Sequence, residues 1–263
     1  MSVCVRSQVY RLQKLGNRPD ENEDDAAIIE PPDGVLDEHP ARYAVADGAT
    51  TGAFSSEWAN ALVHTVVEHW TPTESLDACI EPLRSTWSDR FASLNLPWFA
   101  EAKARAGSFA TLLSLWIAPP EDGTTEGIWN AAAIGDTCLF HVRDNTLCAA
   151  FPITESVAFG STPDLLASKP PSGLVLREAH THGHWRVGDQ FYLMSDALAT
   201  WFLSTHEQDG SSWAEIAAWR EIATTTDHFA HWIAELRTSH RLRNDDVTLL
   251  VTEIVDDNPS PTT

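Results

Sequence analysis

An α+β domain, with helices packed on antiparallel sheets, is what this chain of 263 residues predicts. Three observations carry the prediction. Strand-like and helix-like segments come in blocks instead of strict alternation, which disfavours a parallel βαβ sheet. The helical segments repeat apolar residues at three- and four-residue steps, and the best of them begins with Ser-Ser, good N-cap chemistry. Hydrophobic residues at 43% and charged residues at 21% describe an ordinary globular protein, long enough to bury a substantial core.

In chain order, residues 3–12 alternate as a strand does, and this start lacks the apolar core of a secretory leader. Short apolar or β-rich runs at 26–30 and 41–46 read as the next two strands. Helical patterns then cover 55–70, 75–94 and 98–106. A long series of β-rich runs follows at 110–117, 127–133, 137–143 and 146–151. Residues 153–187, rich in Pro, Gly, Ser and His, read as an irregular insertion. A strand at 190–195, helices at 197–205, 212–223 and 227–239, and a last strand at 246–254 complete the chain. The expected division is one domain over 1–255 and a disordered tail over 256–263.

Charge narrows the function. The 17 Lys and Arg face 38 Asp and Glu, a net charge of −21, and such a surface repels nucleic acid and anionic membranes. No apolar run reaches the roughly 18 residues of a membrane span. Cys4, Cys79, Cys138 and Cys148 form no CxxC pair, so the expectation is idle thiols in a reducing compartment, the cytoplasm. The eleven Trp are scattered evenly, as core residues would be. His180, His182 and His184 fall within the insertion and read as loop imidazoles.

The chemistry is carried by acidic residues at strand ends. Asn22-Glu23-Asp24-Asp25 runs into the second strand, and Asp47-Gly48 closes the third. Ser195-Asp196 follows Phe191-Tyr192-Leu193-Met194, and Asp245-Asp246 precedes the last strand. An Asp at a strand end more often caps a turn, so each spot alone says little. Gathered at one sheet edge, the four would repel one another unless cations neutralised them. Oxygen-only ligands select hard Mg²⁺, Mn²⁺ or Ca²⁺, and Gly48 lets its carbonyl approach as a ligand too.

These blocks, from about Gly16 to Ile254, resemble those of the metal-dependent protein phosphatases of type 2C, the PPM family, in its bacterial single-domain form. Arg18-Pro-Asp-Glu-Asn-Glu-Asp24 is similar to the first family block, and Ala44-Val-Ala-Asp47-Gly48 to the second. Gly107-Ser-Phe-Ala-Thr111, Ile134-Gly135-Asp136-Thr137, Ser195-Asp196-Ala197 and Asp245-Asp246-Val247-Thr248 follow in the family order. The resemblance implies a four-layer α-β-β-α sandwich, two antiparallel sheets flanked by helix pairs, with two Mg²⁺ or Mn²⁺ ions at one end. It implies that Asp47 bridges the ions, that Gly48 lends its carbonyl to one, and that Asp196 and Asp245 hold the other. Glu23 and Asp24 would act largely through water, Asp136 would serve a third, looser ion, and Arg18 would clamp the phosphate. The 153–187 insertion would be the flap beside the cleft. The implied activity is hydrolysis of phosphoserine or phosphothreonine in a protein substrate, by a monomer opposing a kinase.

The chain also departs from the family pattern. Arg18 stands one residue further from Glu23 than the family Arg does, and Ala49 occupies the place where many eukaryotic members carry a His. Ala197 replaces a Gly after Asp196, and would be strained by about 1 kcal/mol if that position required a positive φ. Ala197 and the displaced Arg18 motivate an alternative: a weak or inactive phosphatase-fold module that binds phosphoproteins or kinases.

Overall fold

The structure, a computed structural model, describes residues 2–50, 52–87, 89, 107–120, 124–160, 162–171, 173, 176–210, 212–222 and 227–257. Two antiparallel sheets form the centre. One runs in the order β1 (Val3–Leu12), β11 (Val247–Asp256), β10 (Gln190–Met194), β6 (Cys138–Arg143), β7 (Thr146–Phe151). The other runs β2 (Asp25–Ile29), β3 (Ala41–Gly48), β4 (Phe109–Pro120), β5 (Glu126–Ile134), β9 (Ala179–Arg186), with the short β8 (Leu166–Ala167) paired to the start of β4.

Strand alternation sorts side chains into the layers. In β10, Phe191 and Leu193 point between the sheets, while Tyr192 and Met194 point to the helices. Leu139 of β6 and Leu250 of β11 join the inter-sheet core; Phe140, Leu249 and Val251 join the outer one. That outer core is closed by α3 (Asp196–Asp209), α4 (Ser212–Ile222) and α5 (Asp227–Thr238). The second sheet turns Ala44, Ala46, Leu112 and Ala132 towards α1 (Ser55–His69) and α2 (Leu76–Trp87). The result is the α-β-β-α sandwich, with a helix pair on one side and three helices on the other among the described residues. The expected helix at 98–106 and the end of the one at 75–94 lie outside the described residues, as does most of the tail.

Nine of the ten tryptophans among the described residues are buried, as their scatter suggested, and Trp116 is half-buried. Trp58, Trp70, Trp185 and Trp201 are almost completely buried, and Trp201, Trp219 and Trp232 form a ring cluster under α4 and α5. Three of the four cysteines are buried and all four are free.

The 153–187 segment corrects the sequence reading. Its first half is irregular, but β9 is a regular eight-residue strand paired to β5 over its full length. His180, His182 and His184 therefore sit on one outward face of an edge strand, not in a loop. Inward, Trp185 covers Gly127 and Trp129 covers Gly183; a Cβ at either glycine would fall within 2.8 Å of an indole. These two cross-strand Gly–Trp pairs seat two large rings in the inter-sheet core.

Candidate active site

The antiparallel pairing brings the acidic strand ends to one end of the sandwich. Asp25 opens β2 opposite Ala46 of β3, so the start of β2 and the Asp47-Gly48 end of β3 adjoin. Gly48 in turn faces Ala110 at the start of β4, and Leu112 faces Ile134 at the end of β5, just before Gly135-Asp136. In the other sheet Met194 pairs with Leu249, which places Asp196 after β10 near Asp245 before β11. The cleft between them, a cavity of about 160 Å³, is lined by Glu23, Asp47, Gly48, Asp136, Asp196 and Asp245, among others.

Local hydrogen bonds fix the loops that carry these groups. Asp246 accepts from the backbone N–H of Lys14 (2.7 Å) and of Glu23 (3.0 Å), tying the first acidic block to the last. The Ser195 hydroxyl accepts from the N–H of Thr248 at 2.9 Å, and the N–H of Ser195 donates to the Thr248 carbonyl at 3.2 Å. The Gly48 N–H donates to the Glu23 carbonyl at 3.2 Å. A Cβ on Gly48 would lie 2.6 Å from that same carbonyl oxygen and 2.8 Å from the carbonyl of Ser55, so only glycine fits. Thr50 donates to Glu23 at 2.5 Å across the cleft mouth.

The electrostatics are those of a carboxylate cluster short of positive charge. Asp24 is fully buried, and neither carboxylate oxygen makes a hydrogen bond of good geometry. Its pKa is pushed up to about 7, chiefly by burial and further by Asp246; the nearby Ser195 and Thr248 hydroxyls and Arg11 oppose the rise. Asp47 is held well above the carboxylate range by burial, then by Asp24, Asp136 and Asp245, with Arg243 opposing. Asp136 is raised by burial and lowered by Arg243. Asp196 keeps one buried oxygen without a partner. Asp25 is different: it pairs with Arg11 at 2.7 Å and accepts from Asn60 at 2.7 Å, which makes it a structural tie.

The donor set fits hard cations in kind: oxygen only, mutually repelling, with orphaned buried oxygens on Asp24 and Asp196. Among the described residues no three His, Cys, Asp or Glu side chains already converge on one point. A guanidinium lies beside two of the carboxylates. Arg243 pairs with Asp196 and stands 3.4 Å from Asp245.

Arg18, expected as the phosphate clamp, is not brought to the cleft. Its side chain is 72% exposed and pairs with Asp20 at 3.1 Å. Ala197 removes the other concern: it lies in the first turn of α3 and is not among the positive-φ residues. Sequence reasoning missed Arg243 and Lys14, whose amine is 3.9 Å from Glu23, because neither lies in an acidic block. It also missed Phe54, a bulky residue at φ 58° that enters α1 and lines the groove beside the cleft. From the insertion, Pro163 and Leu165 reach the cleft wall.

No family model and no curated protein matches the chain. Solved structures do match over nearly its whole length. The catalytic domain of the serine/threonine protein phosphatase PstP, in complex with two manganese ions, is 19% identical with a TM-score of 0.58, covering 97% of this chain and 100% of that one. The phosphatase domain of the cell-fate determinant SpoIIE from Bacillus subtilis is 18% identical with a TM-score of 0.51, covering 100% and 97%. RsbX in complex with magnesium is 17% identical with a TM-score of 0.52, covering 95% and 96%. The class that this sandwich and its acidic end define is therefore the phosphatase fold of type 2C. The chain has that fold, in the form met in bacterial phosphatases such as these.

Proposed function

We propose that the chain is a metal-dependent phosphatase that hydrolyses phosphoserine or phosphothreonine in a protein substrate, opposing a kinase. The observation that carries this reading is the convergence of Asp47, Asp136, Asp196 and Asp245, from four separate segments and both sheets, in one cleft with Asp24 buried beneath. The manganese and magnesium bound by two of the similar structures support the choice of metal.

When bound, Mg²⁺ or Mn²⁺ would lower the pKa of a coordinated water and screen the phosphate charge. Asp47, from the end of β3, would serve the two ions, and the Gly48 carbonyl would serve one of them. Asp196, just after β10, and Asp245, just before its sheet neighbour β11, would hold the other ion, with Asp136 available to a third. Glu23, tied to Thr50, and the buried Asp24 would accept hydrogen bonds from metal-bound water and so orient it. Leaving-group protonation falls to solvent, since Ala49 supplies no acid at the cleft mouth. Among the described residues no helix is long and apolar enough to cross a membrane. A soluble, cytoplasmic monomer is the form we propose.

Arg18's distance from the cleft is the one observation that favours the non-catalytic module. Hydrolysis of p-nitrophenyl phosphate and of a phosphothreonine peptide, with Mn²⁺, Mg²⁺ or EDTA, separates the two readings. Metal-dependent turnover that falls by at least about 10²-fold in Asp47→Ala and Asp196→Ala is expected. Turnover indifferent to both substitutions would rule the reading out.

A further inference from the structure

The family-like position for a phosphate-binding arginine is filled by Arg18, yet Arg18 points to solvent and spends its charge on Asp20. A guanidinium in contact with carboxylates that line the cleft belongs to Arg243, on the loop between α5 and β11. It contacts Asp196 through Nη2, and the same nitrogen is 3.4 Å from Asp245. Its side chain is 44% exposed, and among the described residues no backbone carbonyl accepts a hydrogen bond from its head group. The next arginine along, Arg237, is held differently: it donates to the carbonyls of Gln13 and Asp245 and serves as a strut beneath the loop.

We propose that Arg243 is this cleft's phosphate-binding residue, and that its guanidinium competes with a metal ion for Asp196 and Asp245. The inference rests on the metal-dependent reading above. Two carboxylates that face one guanidinium are neutralised by it at the expense of any ion that needs the same oxygens. Ions and Arg243 therefore compete for Asp196 and Asp245. Once released, the side chain remains tethered at the cleft mouth, and its planar fork matches two phosphate oxygens. Lys14, in the groove beside the cleft, is directed to Glu23 and cannot make that bidentate contact.

The test is Mn²⁺ binding by calorimetry to wild-type protein, Arg243→Gln, Arg243→Lys and Asp196→Asn, with kinetics on a phosphothreonine peptide at saturating Mn²⁺. Removing a competing cation should tighten Mn²⁺ binding to Arg243→Gln by about tenfold. The KM of that variant should rise by about tenfold or more, with a smaller change in kcat, and Arg243→Lys should recover only part of it. Equal or weaker Mn²⁺ binding by Arg243→Gln, beside normal binding by the wild type, would overturn the competition and leave the metal reading intact. Tighter binding with an unchanged KM would overturn the phosphate role. If wild type and Arg243→Gln both fail to bind Mn²⁺, the metal-dependent reading falls and takes this proposal with it.

Discussion

Gly48 shows how little room the site leaves at the scale of one residue. Its N–H donates to the Glu23 carbonyl, and a methyl group in place of its hydrogen would stand 2.6 Å from that same oxygen. Neither neighbour is the flexible end of a side chain, so the backbone of β3 or of the acidic loop must move. Gly48→Ala should cost about 1–3 kcal/mol of stability, read by thermal unfolding in EDTA. It should also weaken Mn²⁺ binding by at least about tenfold, because Asp47 moves with its neighbour. Ala197 makes the opposite point. The sequence raised it as a strained replacement for glycine, but it sits at a helical φ at the start of α3, 1% exposed. Ala197→Gly should therefore restore nothing. It should destabilise the protein by about 0.5–1 kcal/mol, the usual cost of glycine in a helix, and a gain in either stability or activity would contradict this placement.

The elements hold one another through a second charged cluster at the far end of β10 from the cleft. Asp189, in the turn between β9 and β10, is fully buried. It accepts from Arg143 of β6 at 2.7 and 2.6 Å, from the Arg186 N–H at 2.9 Å, and lies 3.0 Å from the His141 imidazole. Burial acts against its charge, but these partners win, and its pKa is lowered to about 2. A carboxylate whose folded pKa is depressed stabilises the protein above its unfolded value, near 3.9, and loses that contribution as pH falls towards 2. Asp189→Asn should cost about 3 kcal/mol at pH 7 and less at pH 3, so its unfolding curve converges with the wild type's in acid. A pH-independent difference would place the cost in packing instead. Strands such as β10 and β11 could be read directly, since burial on both faces makes them continuous apolar runs. β9 could not, because an edge strand needs apolar residues on one face only, and here that face holds Ala179, Thr181, Gly183 and Trp185. The signal that was available is the pair of Gly-x-Trp tripeptides, 127–129 and 183–185, whose rings and glycines interlock across the two strands. The acidic blocks were equally readable as strand ends. Arg243 was not, since nothing in its neighbours Leu242 and Asn244 says that the loop folds back towards Asp196.

At the scale of the whole molecule, the candidate site lies across the seam of the sandwich. Asp24 and Asp47 come from one sheet, Asp196 and Asp245 from the other, and Asp136 from the turn that joins them between β5 and β6, so an ion shared between them would tie the two sheets together at that end. Three separate cores already hold the layers, so the protein should fold without metal; the ions should add to global stability without being required for it. At free Mn²⁺ about 100-fold above its dissociation constant, linkage gives roughly 2.7 kcal/mol per site. For a domain of this size, that is a rise of roughly 5 °C in Tm over the EDTA form. The rise should vanish in Asp47→Asn, which removes the carboxylate proposed to serve both ions, while the same variant in EDTA should match or exceed the wild type, having lost a group whose ionisation the crowded cluster opposes. Hydrogen exchange should show Mn²⁺-dependent protection both near 24–48 and near 195–196 and 245–248, since those segments belong to different sheets. Protection confined to one sheet would mean an ion that does not span the seam. An undiminished Tm rise in Asp47→Asn would place the stabilising ion elsewhere, with the outward imidazoles of His180, His182 and His184 as the first place to look.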